Sequence, residues 1–168
     1  MRAAFLLLLL STTSFAQIAV AAPAAVASPS AQDAELLQFL DHTFDEQLAL
    51  SPETQTQLGF KTNYDKLDDY TDAAVIKQVA LAEQQLKDMH ARFRPDQLSP
   101  EARVSYRLFE HEVERGRQAF KFRNLRFPVS TNGSPAGEIP VLLINNHKID
   151  TVADAKAYIA RLRETDRV

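Results

Sequence analysis

The sequence predicts a mainly α-helical fold: a helical bundle segment with short irregular loops, behind an N-terminal signal peptide. Three observations carry that prediction. Apolar residues recur every three or four positions over several long stretches, which gathers them on one helix face. The helix-start pattern Ser-Pro-Glu occurs at Ser51-Pro52-Glu53 and again at Ser99-Pro100-Glu101. The one candidate hairpin turn, Asn132-Gly133, has flanks too short for strands.

The chain opens as an export signal. Arg2 gives a short positive region, and an apolar run from Ala3 to Leu10 follows. That run is too short to span a bilayer, which takes roughly 20 apolar residues. Small residues permit cleavage after Ala16, Ala21 or Ala27. Ala21 is preferred, because cleavage at Ala16 leaves an unusually short leader. Residues 1–21 are therefore read as signal peptide and 22–30 as a flexible Ala/Pro/Ser-rich spacer. A periplasmic or secreted protein is expected, with no membrane contact after signal cleavage.

The helical part starts at residue 31. Ser30 is the expected N-cap, with Asp33 near the positive helix end. Leu36, Leu37, Leu40, Phe44 and Leu48 then carry an amphipathic helix to about Leu50. The helix opened by Ser51 is short and stops at Gly59, and Lys61 to Tyr70 reads as a polar loop. Thr71-Asp72 opens a third helix, whose Val75, Val79, Ala82, Leu86, Met89 and Phe93 form a heptad-like seam. Arg94-Pro95 ends it. After Ser99, a long helix places Ala102, Tyr106, Phe109, Val113 and Phe120 on one stripe, widened by Val104 and Leu108. Pro128, Gly133, Pro135 and Gly137 break the stretch from Phe127 to Ile139. Pro140 to Ile144 reads as about one buried helical turn. Thr151, with Asp154 three residues on, caps a last helix whose apolar face is Ala155, Tyr158, Ile159 and Leu162.

Composition removes several function classes. The formal net charge is −3, and one unit more negative without Arg2. A nucleic-acid partner needs a basic face, so none is expected. Cysteine is absent. That excludes disulfides, thiolate metal sites, a cysteine nucleophile and a lipoprotein anchor.

Few residues offer chemistry. His111-Glu112 begins like the zinc-protease helix H-E-x-x-H, but Arg115 stands where the second histidine belongs. A cation there repels zinc, so this is read as a solvated helix face. His42 and Glu46 lie four apart and can form an ordinary surface pair. His90 lies beside the heptad seam. Asn145, Asn146 and His147 form a polar cluster next to an apolar turn; they can line a cleft, but capping and turn formation explain them at least as well. Asp68-Asp69 has too few regularly spaced oxygens for a calcium loop. No nucleophile elbow, P-loop or dinucleotide glycine pattern occurs.

Four stretches, taken in order, are familiar. They are Ser51-Pro52-Glu53 leading to Leu58-Gly59, Leu98-Ser99-Pro100-Glu101 leading to Tyr106, Phe127-Pro128-Val129, and His147-Lys148-Ile149-Asp150 through Asp154-Ala155 to Tyr158-Ile159-Ala160-Arg161-Leu162. In order and spacing the chain resembles the N-terminal part of the bacterial "domain of unknown function 885" family. The resemblance implies a long, largely helical, often exported protein similar to zincin-type metallopeptidases. Zinc is implied for full-length relatives, held by an H-E-x-x-P-G-H-H-like segment of the C-terminal part. This chain stops before such a segment, so no catalytic or metal-binding residue carries over to any position here, and no cofactor is expected in this chain. Residues 31–168 are accordingly expected to be an incomplete portion of a larger domain, a fragment or the product of a truncated reading frame. The resemblance also implies that this portion packs over a C-terminal catalytic part and walls a substrate cleft, with the Phe127–Gly137 loop and Asn145, Asn146 and His147 nearest to it. Two other readings stand beside that one. The chain can be a free-standing periplasmic module binding another protein through an apolar helix face, or a cell-surface structural element without a ligand.

Overall fold

Every helix start named above finds its cap. The computed structural model describes residues 30–125, 127, 129 and 133–167. The expected signal peptide, its cleavage point at Ala21 and all of the spacer except Ser30 lie outside the described residues. So does Asn132 of the supposed hairpin turn. Helix α1 runs Ala31–Leu48, α2 Pro52–Gln57, α3 Asp72–Arg92, α4 Pro100–Phe120, α5 Pro135–Asn145 and α6 Val152–Glu164. Short 3-10 turns follow α3, α4 and α6. The described residues are mainly helical, as the periodicity predicts.

The caps show why the boundaries fall where they do. Ser30, Ser51, Thr71, Ser99, Ser134 and Thr151 each accept a hydrogen bond from a backbone N–H in the first turn of the helix they precede. Gly59 sits at φ +88°, a left-handed conformation in which Phe60 N–H closes back on the Gln55 carbonyl at 2.8 Å and ends α2. Asp33 does double duty. One carboxylate oxygen accepts from Ser30 N–H at 2.9 Å, and the other from Ser99 N–H at 3.0 Å. The start of α1 is thereby tied to the start of α4. The Ser99 and Ser30 amides hold the buried Asp33 carboxyl below its ordinary pKa.

Two apolar cores result. The larger one joins α1, α3 and α4 through Leu36, Phe39, Met89, Phe93, Leu98, Ala102 and Tyr106. Phe39 meets the rings of Phe93 and Phe109 edge-on, with centroids 5.6 and 6.5 Å away. Within this core Gln85 donates to the Thr43 carbonyl and to Glu46, and accepts from Gln47. The smaller core joins α5 to the loop after α2 through Leu67, Ile139, Leu142 and Leu143, with Tyr158 of α6 against it.

Several sequence expectations need correction. In α1 the inward face is Leu36, Phe39 and Thr43, while Leu37 and Phe44 are exposed. The α3 seam turns inward as expected, but only Met89 and Phe93 of it are fully buried. On α4 Val104 and Leu108 do not widen the buried stripe; both face solvent, Val104 at 67 % exposure. The stretch taken for one turn at Pro140–Ile144 is the three-turn helix α5, which passes through Pro140. Ser134 and Pro135 start it, so Gly137 belongs to its first turn and not to the preceding loop.

Candidate functional site

The polar chemistry of the molecule gathers where α6 meets α2 and the loop that follows it. Its centre is Arg161, fully buried at 0 % exposure. A guanidinium presents N–H donors in a fixed planar fork, so burying it requires acceptors arranged to match. Two backbone carbonyls and two side chains supply them. Arg161 Nε donates to the Lys66 carbonyl at 2.8 Å. One terminal nitrogen donates to Thr56 Oγ1 at 2.7 Å and to the Pro52 carbonyl at 3.2 Å. The other donates to His147 Nδ1 at 3.1 Å. Desolvation lowers the Arg161 pKa from its ordinary value, and the charges of Glu53, Asp65 and Asp68 oppose that effect.

His147 is buried and held on every side. Its ring stacks on Tyr64 with centroids 3.9 Å apart and meets Tyr158 edge-on at 5.2 Å. Nε2 lies 3.1 Å from the Asp154 carbonyl, which can only accept. Nε2 therefore carries the proton and Nδ1 is the bare acceptor for Arg161. Burial, with the Arg161 charge adding to it, holds the imidazole below its ordinary pKa, while the Asp154 carbonyl works the other way. Tyr64 OH closes the arrangement, accepting from Lys148 N–H at 2.7 Å and donating to the Lys148 carbonyl at 3.2 Å.

A second anchor sits beside the first. Asp154 Oδ2 accepts from Lys61 Nζ at 2.9 Å, from Thr151 N–H at 2.9 Å and from Asp150 N–H at 3.1 Å. The Lys61 bond, first among these, brings the Asp154 carboxyl down to about 2. Lys61 also reaches Asp150 at 2.9 Å, and the two carboxylates raise its pKa. The loop is in turn pinned to α2. Asp68 accepts from Ser51 Oγ and Glu53 N–H, and Glu53 accepts from Asp68 N–H and Tyr70 OH. Among the described residues no buried side-chain nitrogen or oxygen lacks a partner.

The residues expected at a cleft part company. Asn145 ends α5 and is exposed. Asn146 is the C-cap, with its N–H on the Leu142 carbonyl. His147 turns inward to the buried cluster. Both of its nitrogens are engaged, so it has no free lone pair to serve as a base. The other histidines lie elsewhere: His42 faces Glu46 at 3.5 Å, His90 pairs with Glu110 at 2.8 Å, and His111 is exposed on α4. No group of three His, Asp or Glu among the described residues could hold a metal ion. Glu112 is paired with Arg115, so the H-E pair on α4 does not fit zinc. Also among the described residues, no helix is long and apolar enough to cross a membrane.

Sequence reasoning missed Arg161, Tyr64 and Lys61. The face assigned to α6 was Ala155, Tyr158, Ile159 and Leu162, yet Ile159 and Leu162 are exposed. The inner stripe is Asp154, Tyr158 and Arg161, spaced four and three apart. That spacing was visible, but an arginine on a helix normally reads as a solvated residue.

The family model described as "Bacterial protein of unknown function (DUF885)" matches residues 52–168. The chain belongs to this family. The DUF885 match starts at Pro52, so α1 precedes it, while every partner of Arg161 falls inside it. No curated protein and no solved structure matches the chain.

Proposed function

We propose that this DUF885 chain is the helical N-terminal portion of an exported, metallopeptidase-like hydrolase, and that it walls a substrate cleft while the catalytic residues come from another part of the polypeptide. The observation that carries the reading is the two-sided apolar character of α5. Ile139, Leu142 and Leu143 are buried on one side, yet Val141 and Ile144 face outward, Ile144 at 77 % exposure. A helix with apolar side chains on its outer side as well as its buried one is suited to packing against a further surface. Beside α5, Ile139, Pro140, Leu143, Ile144, Tyr158 and Leu162 line an apolar groove of about 450 Å³. A further polypeptide surface covering that groove would meet Asn145 and Asn146, which follow its lining residue Ile144 in the chain.

The test is made in a full-length family member. Chelation is expected to abolish peptide hydrolysis, and added zinc to restore it. Asn145→Ala should lower kcat/KM with Tm unchanged; unaltered kinetics would remove the cleft-wall role. This chain alone should neither bind zinc tightly nor hydrolyse a peptide. The same apolar groove also favours a second reading, a free-standing periplasmic protein-interaction module. Coding sequence that continues past Val168 into an H-E-x-x-P-G-H-H-like stretch would support the hydrolase over the module.

A further inference from the structure

The cluster around Arg161 has a feature that tight packing alone does not require. A titratable imidazole has been placed as hydrogen-bond acceptor to a permanently charged guanidinium, in a site from which water is excluded. That bond needs the Nδ1 lone pair, because Nε2 is already committed as donor to the Asp154 carbonyl. A proton on Nδ1 removes the acceptor and sets two cations face to face at 3.1 Å. The imidazole cannot swing away cheaply, since Tyr64 and Tyr158 enclose it on two sides.

We propose that His147 is a pH-sensitive latch: the neutral imidazole closes α6 onto α2 and the loop after it through Arg161, and protonation of Nδ1 opens that contact. The groups facing His147 come from each neighbouring element. Arg161, Asp154 and Tyr158 lie on α6, Lys61 and Tyr64 on the loop, and Lys148 and Asp150 on the connector before α6. From α5 the Leu142 carbonyl accepts from the His147 backbone N–H.

The direction follows from the native state disfavouring the proton. Its imidazole pKa is lowered from 6.5, so the open form binds more protons as the pH falls. The latch is fully closed above that ordinary value and weakens below it. The neighbouring Lys61–Asp154 link does not fail in the same range, because Asp154 stays ionised down to about 2. A loss of α6 docking near pH 5 therefore does not come from that link.

Hydrogen exchange on the whole chain, at about pH 7.5 and about pH 5, spans the titration. Rates are corrected for the intrinsic pH dependence of exchange. Amides of α6 are expected to lose protection severalfold at the lower pH, while those in the buried halves of α3 and α4 keep theirs. The response should persist in H42Q/H90Q/H111Q, where His147 is the last titrating histidine. In the unaltered chain, imidazole nitrogen chemical shifts should show the Nε2–H neutral form at the higher pH. Protection of α6 that is independent of pH would overturn the proposal. So would an equal loss in α3 and α4, disappearance of the response in the triple variant, or a protonated His147 with α6 still protected.

Discussion

Arg161 decides more about this molecule than any other single side chain. Its fully buried head group joins four acceptors from α2, the following loop and the α6 connector. Arg161→Ala strands the buried His147 lone pair and takes a donor from the Lys66 carbonyl, while Thr56 Oγ1 keeps its bond to the Pro52 carbonyl. The expected loss is about 2–4 kcal/mol, read as a lower urea midpoint. Arg161→Lys should recover only part of it, because an ammonium cannot reproduce the planar fork. Asp154 makes a separate, pH-dependent contribution. Its carboxyl titrates at about 2 in the fold against an ordinary 3.8, so the stabilisation is complete above 3.8 and fades as pH falls toward 2. Asp154→Asn should flatten that acid limb in urea titrations between those values, while lowering stability at neutral pH. At this scale the sequence was partly legible. Asp154 was identified as a capping residue, and the structure agrees; its bond to Lys61, 93 residues away in the chain, has no local signature. His147 stands out in the sequence for its polar neighbours, yet its decisive partner is Arg161, which lies outside the apolar face expected for α6.

Helix boundaries were the most readable layer, because caps are local chemistry. Each of Ser30, Ser51, Thr71, Ser99 and Thr151 was expected to start a helix and does so with the bond expected of it. Gly59→Ala should cost about 1–2 kcal/mol, since a Cβ disfavours the left-handed conformation that ends α2. Helix faces were less readable. In α1, Leu36 and Leu37 are adjacent and equally apolar, and periodicity admitted both. Packing against Met89 and Tyr106 chooses one. Leu36→Ala should therefore cost about 2–5 kcal/mol, whereas Leu37→Ala should stay within about 0.5 kcal/mol of the unaltered chain. Calorimetry on the pair checks the assignment, and equal effects would contradict it. The length of α5 was hidden by its two prolines, each of which is normally taken to mark an end. Here one occupies the first turn and the other lies within the helix.

On the scale of the whole molecule, two apolar cores are joined through a polar connection. One is a three-helix packing of α1, α3 and α4; the other is the smaller arrangement of α5 and α6 on the loop after α2. The outward apolar side chains of the second unit should drive concentration-dependent self-association in isolation. Ile144→Glu with Leu162→Glu is expected to raise the monomer fraction in sedimentation experiments and leave Tm within a few degrees. Helical class was legible from period and caps, but the division into two cores was not. It depends on which distant segments meet, and Tyr64 and Leu67 sit in a stretch that reads as ordinary loop. The boundary of the family match has a practical corollary. A polypeptide trimmed to begin at Pro52 would shed the helix bearing Leu36 and Phe39, baring the flanks of Met89, Phe93 and Tyr106 to water. Protein engineers should keep the preceding residues from Ser30 onward if they want a soluble sample.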